Sequence, residues 1–159
     1  MSKRKILWAP WRRKYITGED SSRACIFCSK SSSDNDRDNL IIHRGKTAFA
    51  LLNLYPYNNG HILIAPYRHT GDPTLITAEE YSEMLSIINR LIIKMRDKMN
   101  PEGFNMGMNI GRAAGAGIED HIHMHLIPRW NGDTNFMPVT GEVKVISESL
   151  ESVYEKLKF

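Results

Sequence analysis

Three of the six histidines in this 159-residue chain fall on alternate positions of one short segment, His121-Ile-His123-Met-His125-Leu-Ile-Pro128. Strand side chains point alternately to opposite faces. An extended segment therefore lines all three imidazoles along one side and turns Ile122, Met124 and Leu126 to the other. Histidine titrates near neutrality, ligates metals through either ring nitrogen, and attacks electrophiles with a neutral nitrogen. Two chemistries compete for such a strip: a metal held by its imidazoles, or one imidazole attacking while a neighbour positions and protonates. Just upstream, Gly111-Arg-Ala-Ala-Gly-Ala-Gly117 is rich in residues that let backbone N–H groups approach an anion closely. A loop of that kind before a histidine strip favours attack at phosphorus. The only two cysteines form Cys25-Ile-Phe-Cys28, a C-x-x-C pair. In a reducing compartment that spacing is half of a zinc site or a redox pair.

These groups need elements to hold them. Leu40-Ile-Ile-His43 and Thr47-Ala-Phe-Ala-Leu-Leu-Asn53 are apolar runs on either side of Arg44-Gly-Lys46, the pattern of a hairpin. Tyr55-Pro-Tyr-Asn-Asn-Gly60 is a turn cluster, and His61-Ile-Leu-Ile-Ala65 reads as a third strand. Thr77 with Glu80 three residues on makes a capping box. Met84, Ile88, Leu91, Ile92, Met95 and Met99 then recur at helical spacing until Asn100-Pro101 ends one long helix. Gly103 to Ile110 and His121 to Ile127 supply two more strands, and Ser147 to Lys158 has the pattern of a short amphipathic helix. About five strands with one long and one short helix, and no βαβ alternation, predict an antiparallel α+β domain. Ser29 to Asn39, polar and poor in apolar residues, is expected to be a mobile surface loop.

With 42% apolar and 25% charged residues, the chain has the balance of one globular domain over residues 1–159. It divides into a Trp-rich arm over 1–20, a core over about 25–138, and the C-terminal helix over about 147–158. No apolar run approaches the ~20 residues of a membrane-spanning helix. The basic start lacks the pattern of a secretory signal, so a cytoplasmic location is expected and no membrane partner. A net charge of +3 suits an anionic substrate but is too mild to argue for nucleic acid. In the arm, Trp8 and Trp11 alternate with Arg12, Arg13 and Lys14, a pattern that can stack on nucleotides. Packing of the arm across the body or a partner subunit is the preferred reading.

The segment His121-x-His123-x-His125-Leu-Ile resembles the signature of the histidine-triad (HIT) nucleotide hydrolases and transferases. The resemblance runs upstream through Phe49-Ala-Leu-Leu-Asn53, Gly60-His61-Ile-Leu-Ile-Ala-Pro66 and Gly103-Phe-Asn to Asn109. Downstream, Pro128-Arg-Trp130-Asn-Gly-Asp is similar to the branch that contains diadenosine tetraphosphate phosphorylases. The resemblance implies a HIT-like fold in which His123 attacks the α-phosphorus of an adenine nucleotide, forming a covalent nucleotidyl-histidine. It implies that His125 contacts phosphate and assists the leaving group, while Asn109 and the backbone of Gly115, Ala116 and Gly117 hold phosphate oxygens. Asn53 matches a ribose-binding position, and Phe27 and Leu52 are candidates for the adenine pocket. His61 is placed as a support of that pocket, and His43 as a surface strand residue. Trp130 matches the phosphorylase branch and offers an N–H to phosphate. Zinc-containing members pair the two cysteines with His69 and His121, which implies a closed structural zinc site. Homodimers that use the long helix and the sheet edge are also implied.

One position departs from the pattern. Gly117 stands where several members carry Gln or Ser, so only its backbone can touch phosphate, and the acceptor is open between phosphate and water. Three functions are therefore carried forward. The first is a phosphorylase that cleaves diadenosine tetraphosphate with phosphate. The second is a hydrolase of dinucleoside polyphosphates or nucleoside phosphoramidates, and the third is a zinc-clipped nucleotide-binding module without turnover.

Overall fold

Five antiparallel strands form a single sheet in the order β1-β2-β3-β5-β4. They are β1 (Ile41–Arg44), β2 (Ala48–Leu52), β3 (Ile62–Pro66), β4 (Gly103–Met108) and β5 (Met124–Arg129). The structure is a computed structural model that describes residues 25–133 and 146–159. The Trp-rich arm and the segment from Thr134 lie outside the described residues. Among the described residues four α-helices accompany the sheet: α1 (Ile26–Ser31), α2 (Asp36–Asn39), α3 (Ala78–Met99) and α4 (Leu150–Leu157). The α+β architecture expected from the sequence is the one found.

Alternation along the strands sorts the core into two layers. Ala48, Ala50, Leu52, Ile62, Ile64, Met124 and Leu126 meet Met84, Ile88, Leu91 and Met95 of α3, together with Val153 and Leu157 of α4. Phe49, Leu51, Leu63 and Ala65, one residue out of phase, meet Phe27 of α1 on the other face. The odd-numbered histidines therefore belong to the α1 side. Helix α3 starts where the capping box predicts, with the Thr77 side chain and Glu80 satisfying each other's backbone N–H groups.

Two expectations are corrected. The Ser29–Asn39 stretch carries α1's end and α2 in place of a mobile loop. Its polar side chains are held from elsewhere in the fold: Arg44 donates to the Ser31 and Ser33 carbonyls and pairs with Asp36, while Arg37 pairs with Glu151 and Glu155 of α4. Composition cannot show which side chains meet, whether 8 to 13 residues away as for Arg44 or 114 and 118 as for α4. The histidine strand also begins later than expected, at Met124. Its ladder to β3 ends at the Ile64–Met124 pair, and upstream the chain hangs on the segment after β3 through Ile122 N–H to the Thr70 carbonyl (2.7 Å). His121 and His123 thus lie just outside the ladder.

Candidate active site and metal cluster

Alternation survives the early end of the ladder. His121, His123 and His125 are all buried, at 0%, 6% and 9% exposure, and the His123 and His125 ring centroids lie 5.0 Å apart. Hydrogen-bond partners assign the protons, because a main-chain carbonyl can only accept and a main-chain N–H can only donate. His123 Nδ1–H donates to the His121 carbonyl at 2.9 Å. The Nε2 lone pair of His123 is therefore left for chemistry.

His125 is assigned through His61. The Tyr57 N–H donates to His61 Nδ1 at 3.0 Å, so the His61 proton sits on Nε2. From there it donates to His125 Nδ1 at 2.9 Å, which places the His125 proton on Nε2. That Nε2 is the one buried side-chain polar atom without a hydrogen-bond partner among the described residues. A buried donor aimed at nothing costs free energy, which a substrate oxygen would recover. Burial lowers the pKa of His123 and, with the nearby His123, pushes His125 down to about 4, so both rings are neutral at pH 7. Beside them, Gly107 pairs with His125 across the β4–β5 ladder, and a Cβ there would meet nothing within 4 Å. The strip has a nitrogen with a free lone pair, an unpartnered N–H and open space.

The structure distributes the other expected site residues unevenly. His61, 1% exposed, is drawn into the strip as the residue that sets His125's tautomer. Asn53 directly follows β2 but turns to His61, its amide lying 3.1 Å from His61 Nδ1 while its Oδ1 accepts from Tyr55 N–H. Asn109 lies two residues past Gly107, just beyond β4, half-buried. In the glycine loop, Gly115 donates its N–H to the Arg112 carbonyl and Ala116 to that of Gly111, closing a turn of 3-10 type. Of the three expected backbone donors, only Gly117 keeps an N–H without a partner among the described residues.

Three assignments are corrected. Leu52 belongs to the α3-side core, across the sheet from the histidines, because its place in β2 is out of phase with Leu51. Phe27 is fully buried and offers no surface to a base. Trp130 has the opposite parity to the histidines. Its indole N–H donates to the Met99 and Asn100 carbonyls at 3.3 and 3.1 Å, closing the C-terminus of α3, so it does not reach the strip. Sequence reading missed Tyr57, which supplies the His61-fixing N–H and stacks its half-exposed ring on His125 with centroids 5.7 Å apart. Its only signal was an aromatic in a turn cluster just before a histidine.

Beside the strip, one ligand atom from each of Cys25, Cys28, His69 and His121 lies within 4.8 Å of all the others. His121 Nδ1 is 3.2 Å from Cys25 Sγ, 3.6 Å from Cys28 Sγ and 3.4 Å from His69 Nδ1, and the last is 3.4 Å from Cys28 Sγ. Bonds of about 2.0–2.1 Å to nitrogen and 2.3 Å to sulfur in a tetrahedron place ligand atoms about 3.3–3.8 Å apart. The four separations given lie in or within about 0.1 Å of that range. His121 Nε2–H donates to the Pro66 carbonyl at 2.9 Å, which leaves Nδ1 as the ligating nitrogen.

Comparison with known proteins bears on the same geometry. The model of the HIT domain matches residues 34–132. The chain belongs to the HIT domain family. It is 36% identical over 152 residues to an AP-4-A phosphorylase of Mycobacterium tuberculosis, covering 91% of this chain and 77% of that protein. It is 30% identical over 142 residues to an adenosine 5′-monophosphoramidase of Candida albicans, covering 87% and 91%. Among solved structures, a zinc-bound histidine triad family protein from Mycobacterium smegmatis superposes with a TM-score of 0.68 at 26% identity, over 85% of this chain and 91% of that one. As a member of this family the chain is a nucleotide-processing protein. Among the described residues no helix is long and apolar enough to cross a membrane.

Proposed function

We propose that this protein is a nucleotidyl transferase that cleaves diadenosine tetraphosphate with phosphate, yielding ADP and ATP through a nucleotidyl-histidine. The observation that carries the reading is the pairing of a free Nε2 lone pair on His123 with an unpartnered Nε2–H on His125. His123 Nε2 attacks the α-phosphorus, and the bond to the bridging oxygen breaks to release ATP. His125 donates its Nε2–H to that leaving oxygen as charge develops there. Phosphate then attacks the same phosphorus, the P–N bond breaks, and ADP leaves. Gly117 N–H and Asn109 are the donors assigned to non-bridging oxygens in this reading.

Zinc on Cys25, Cys28, His69 and His121 is proposed as structural: four protein ligands leave no open position for substrate. A cytoplasmic setting, which keeps both thiols reduced, suits that role. A homodimer across the β4 edge is supported by the exposure of Met106 and Ile110, each 54% exposed on or just past that edge strand. A second reading, with water as acceptor, is favoured by two observations: Gly117 has no side chain to order phosphate, and Trp130's N–H is taken by α3. Incubation with diadenosine tetraphosphate and labelled phosphate separates the two. Label in the ADP supports the phosphorylase, whereas AMP formed at the same rate without phosphate assigns the hydrolase. Retained nucleotide binding with no turnover would overturn both.

A further inference from the structure

We infer that the exposed face of the Tyr57 ring is the subsite for the second nucleobase, the one that departs with the leaving group. The inference rests on the proposed roles of His123 and His125. Three rings stand in a row at the strip. His123 and His125 have centroids 5.0 Å apart, and His125 and Tyr57 have centroids 5.7 Å apart with planes at 20°. Attack from His123 puts the scissile bond at the first pair, and the proton on His125 Nε2 goes to the oxygen that leaves. The next ring in the row, on the leaving side, is Tyr57. It remains 49% exposed although it packs on His125 and also on His61, whose centroid lies 4.7 Å away at 34°.

A single exposed aromatic is ordinary surface. Tyr57 differs because its position is fixed before any ligand arrives. Its own N–H donates to His61 Nδ1 at 3.0 Å. The turn that carries it is tied at its base, where Asn53 N–H donates to the His61 carbonyl at 2.9 Å and Asn53 Oδ1 accepts from Tyr55 N–H at 3.0 Å. Asn58, the next residue, reaches β5 by donating its amide to the Pro128 carbonyl at 3.2 Å. A ring already held in place loses little freedom when a base lies on it, so the stack keeps most of its free energy. Stacking reads a π-face and no hydrogen-bonding edge. The subsite therefore separates leaving groups that carry a base from those that carry none, and tolerates any base. The class it selects is the dinucleoside polyphosphates, against nucleoside polyphosphates and phosphoramidates whose leaving groups have no ring.

The test uses the full chain and two substrates that differ in the second nucleoside, diadenosine tetraphosphate and adenosine 5′-tetraphosphate. Both present the same α-phosphorus, and both release a triphosphate, with adenosine at its end or without. Tyr57→Ala is expected to lower kcat/KM for the dinucleotide by about 5- to 100-fold more than for the mononucleotide, and Tyr57→Phe to keep the wild-type ratio. Because Tyr57 also packs on His125, its truncation slows both substrates, and the ratio between them removes that shared part. If the alanine variant does not fold, the same ratio is read on Tyr57→Leu. An equal loss for both substrates would make Tyr57 a support of His125 alone and overturn the inference. So would a Tyr57→Phe variant that loses the ratio, since the hydroxyl and not the ring face would then hold the substrate. Should the wild type turn over neither substrate, the transferase reading fails, and calorimetric binding of the same pair decides the subsite. A preference for the dinucleotide that Tyr57→Ala abolishes upholds it, and equal affinities overturn it.

Discussion

The division of labour among His61, His123 and His125 follows from which nitrogen each ring has free, and each can be tested alone. His123→Ala removes the proposed attacking atom, so turnover should vanish while nucleotide binding and the fold persist. His125→Ala removes the proton donor and should cost about 10²- to 10⁴-fold in kcat, the usual worth of a positioned acid. His61→Phe is the more discriminating variant. It leaves both reacting rings in place but removes the donor to His125 Nδ1, so the His125 proton is free to move to that nitrogen. A loss of about 10- to 100-fold in kcat with little change in KM is expected, and steady-state kinetics on the three variants sets the order. A His61→Phe enzyme as active as wild type would show that the tautomer relay is not used. The triad itself was legible because period-two alternation and residue type suffice to place it. The relay was not, because it depends on Tyr57's backbone N–H, and main-chain donors carry no sequence signature.

At the scale of elements, the strongest local device is the clamp that α3 places on the β1–β2 hairpin. Glu83 accepts from the backbone N–H groups of Lys46, Thr47 and Ala48 and from the Thr47 hydroxyl. Gly45 makes room for it, since a Cβ there would lie 2.6 Å from the Glu83 carboxylate and 2.8 Å from the Ala48 carbonyl. Burial alone would raise this carboxyl's pKa; the Thr47 hydroxyl and the three N–H groups reverse that and hold it at about 2, against 4.5 unfolded. Glu83→Gln should therefore destabilise the protein by about 1–3 kcal/mol at pH 7. Because the folded pKa is depressed, the stabilisation is whole above pH 4.5 and is lost as pH falls through about 2. Thermal melts of the two proteins should differ most at neutral pH and converge in acid; a constant gap would refute the clamp. The hairpin, the capping box and α3 could be read from the sequence because their signals are local. Helices α1 and α2 could not, since they are held by side-chain contacts from Arg44 of β1 and, for α2, from the distant α4. Trp130 was misplaced for a different reason: its even number already put it opposite the histidines, and a motif match took precedence over parity.

At the scale of the molecule, the metal cluster joins segments that the sheet leaves separate. Cys25 and His121 are 96 residues apart and Cys28 and His69 are 41 apart, yet their ligand atoms meet at 3.2 and 3.4 Å. An ion held there binds the folded chain and has no comparable site in the unfolded one, so its binding energy becomes folding energy. At a hundredfold excess over the dissociation constant that linkage is worth about 2.7 kcal/mol. For a domain of this size it amounts to about 5–10 °C in Tm. Freshly prepared protein should contain one zinc per chain, and a strong chelator should lower Tm by about that amount, with zinc restoring it. The sheet that holds His125 and His61 gains its stability from the α3-side core, so chelation at 25 °C should leave the protein folded. Any loss of turnover should then fall on kcat, with KM retained, because the metal ligand His121 carries the carbonyl to which His123 donates. Thermal melts, metal analysis and kinetics on one preparation test all three statements. Absence of zinc together with a Cys25–Cys28 disulfide would replace the metal clip with a covalent one. A metal-free protein with reduced thiols and an unchanged Tm would remove the clip from the fold altogether.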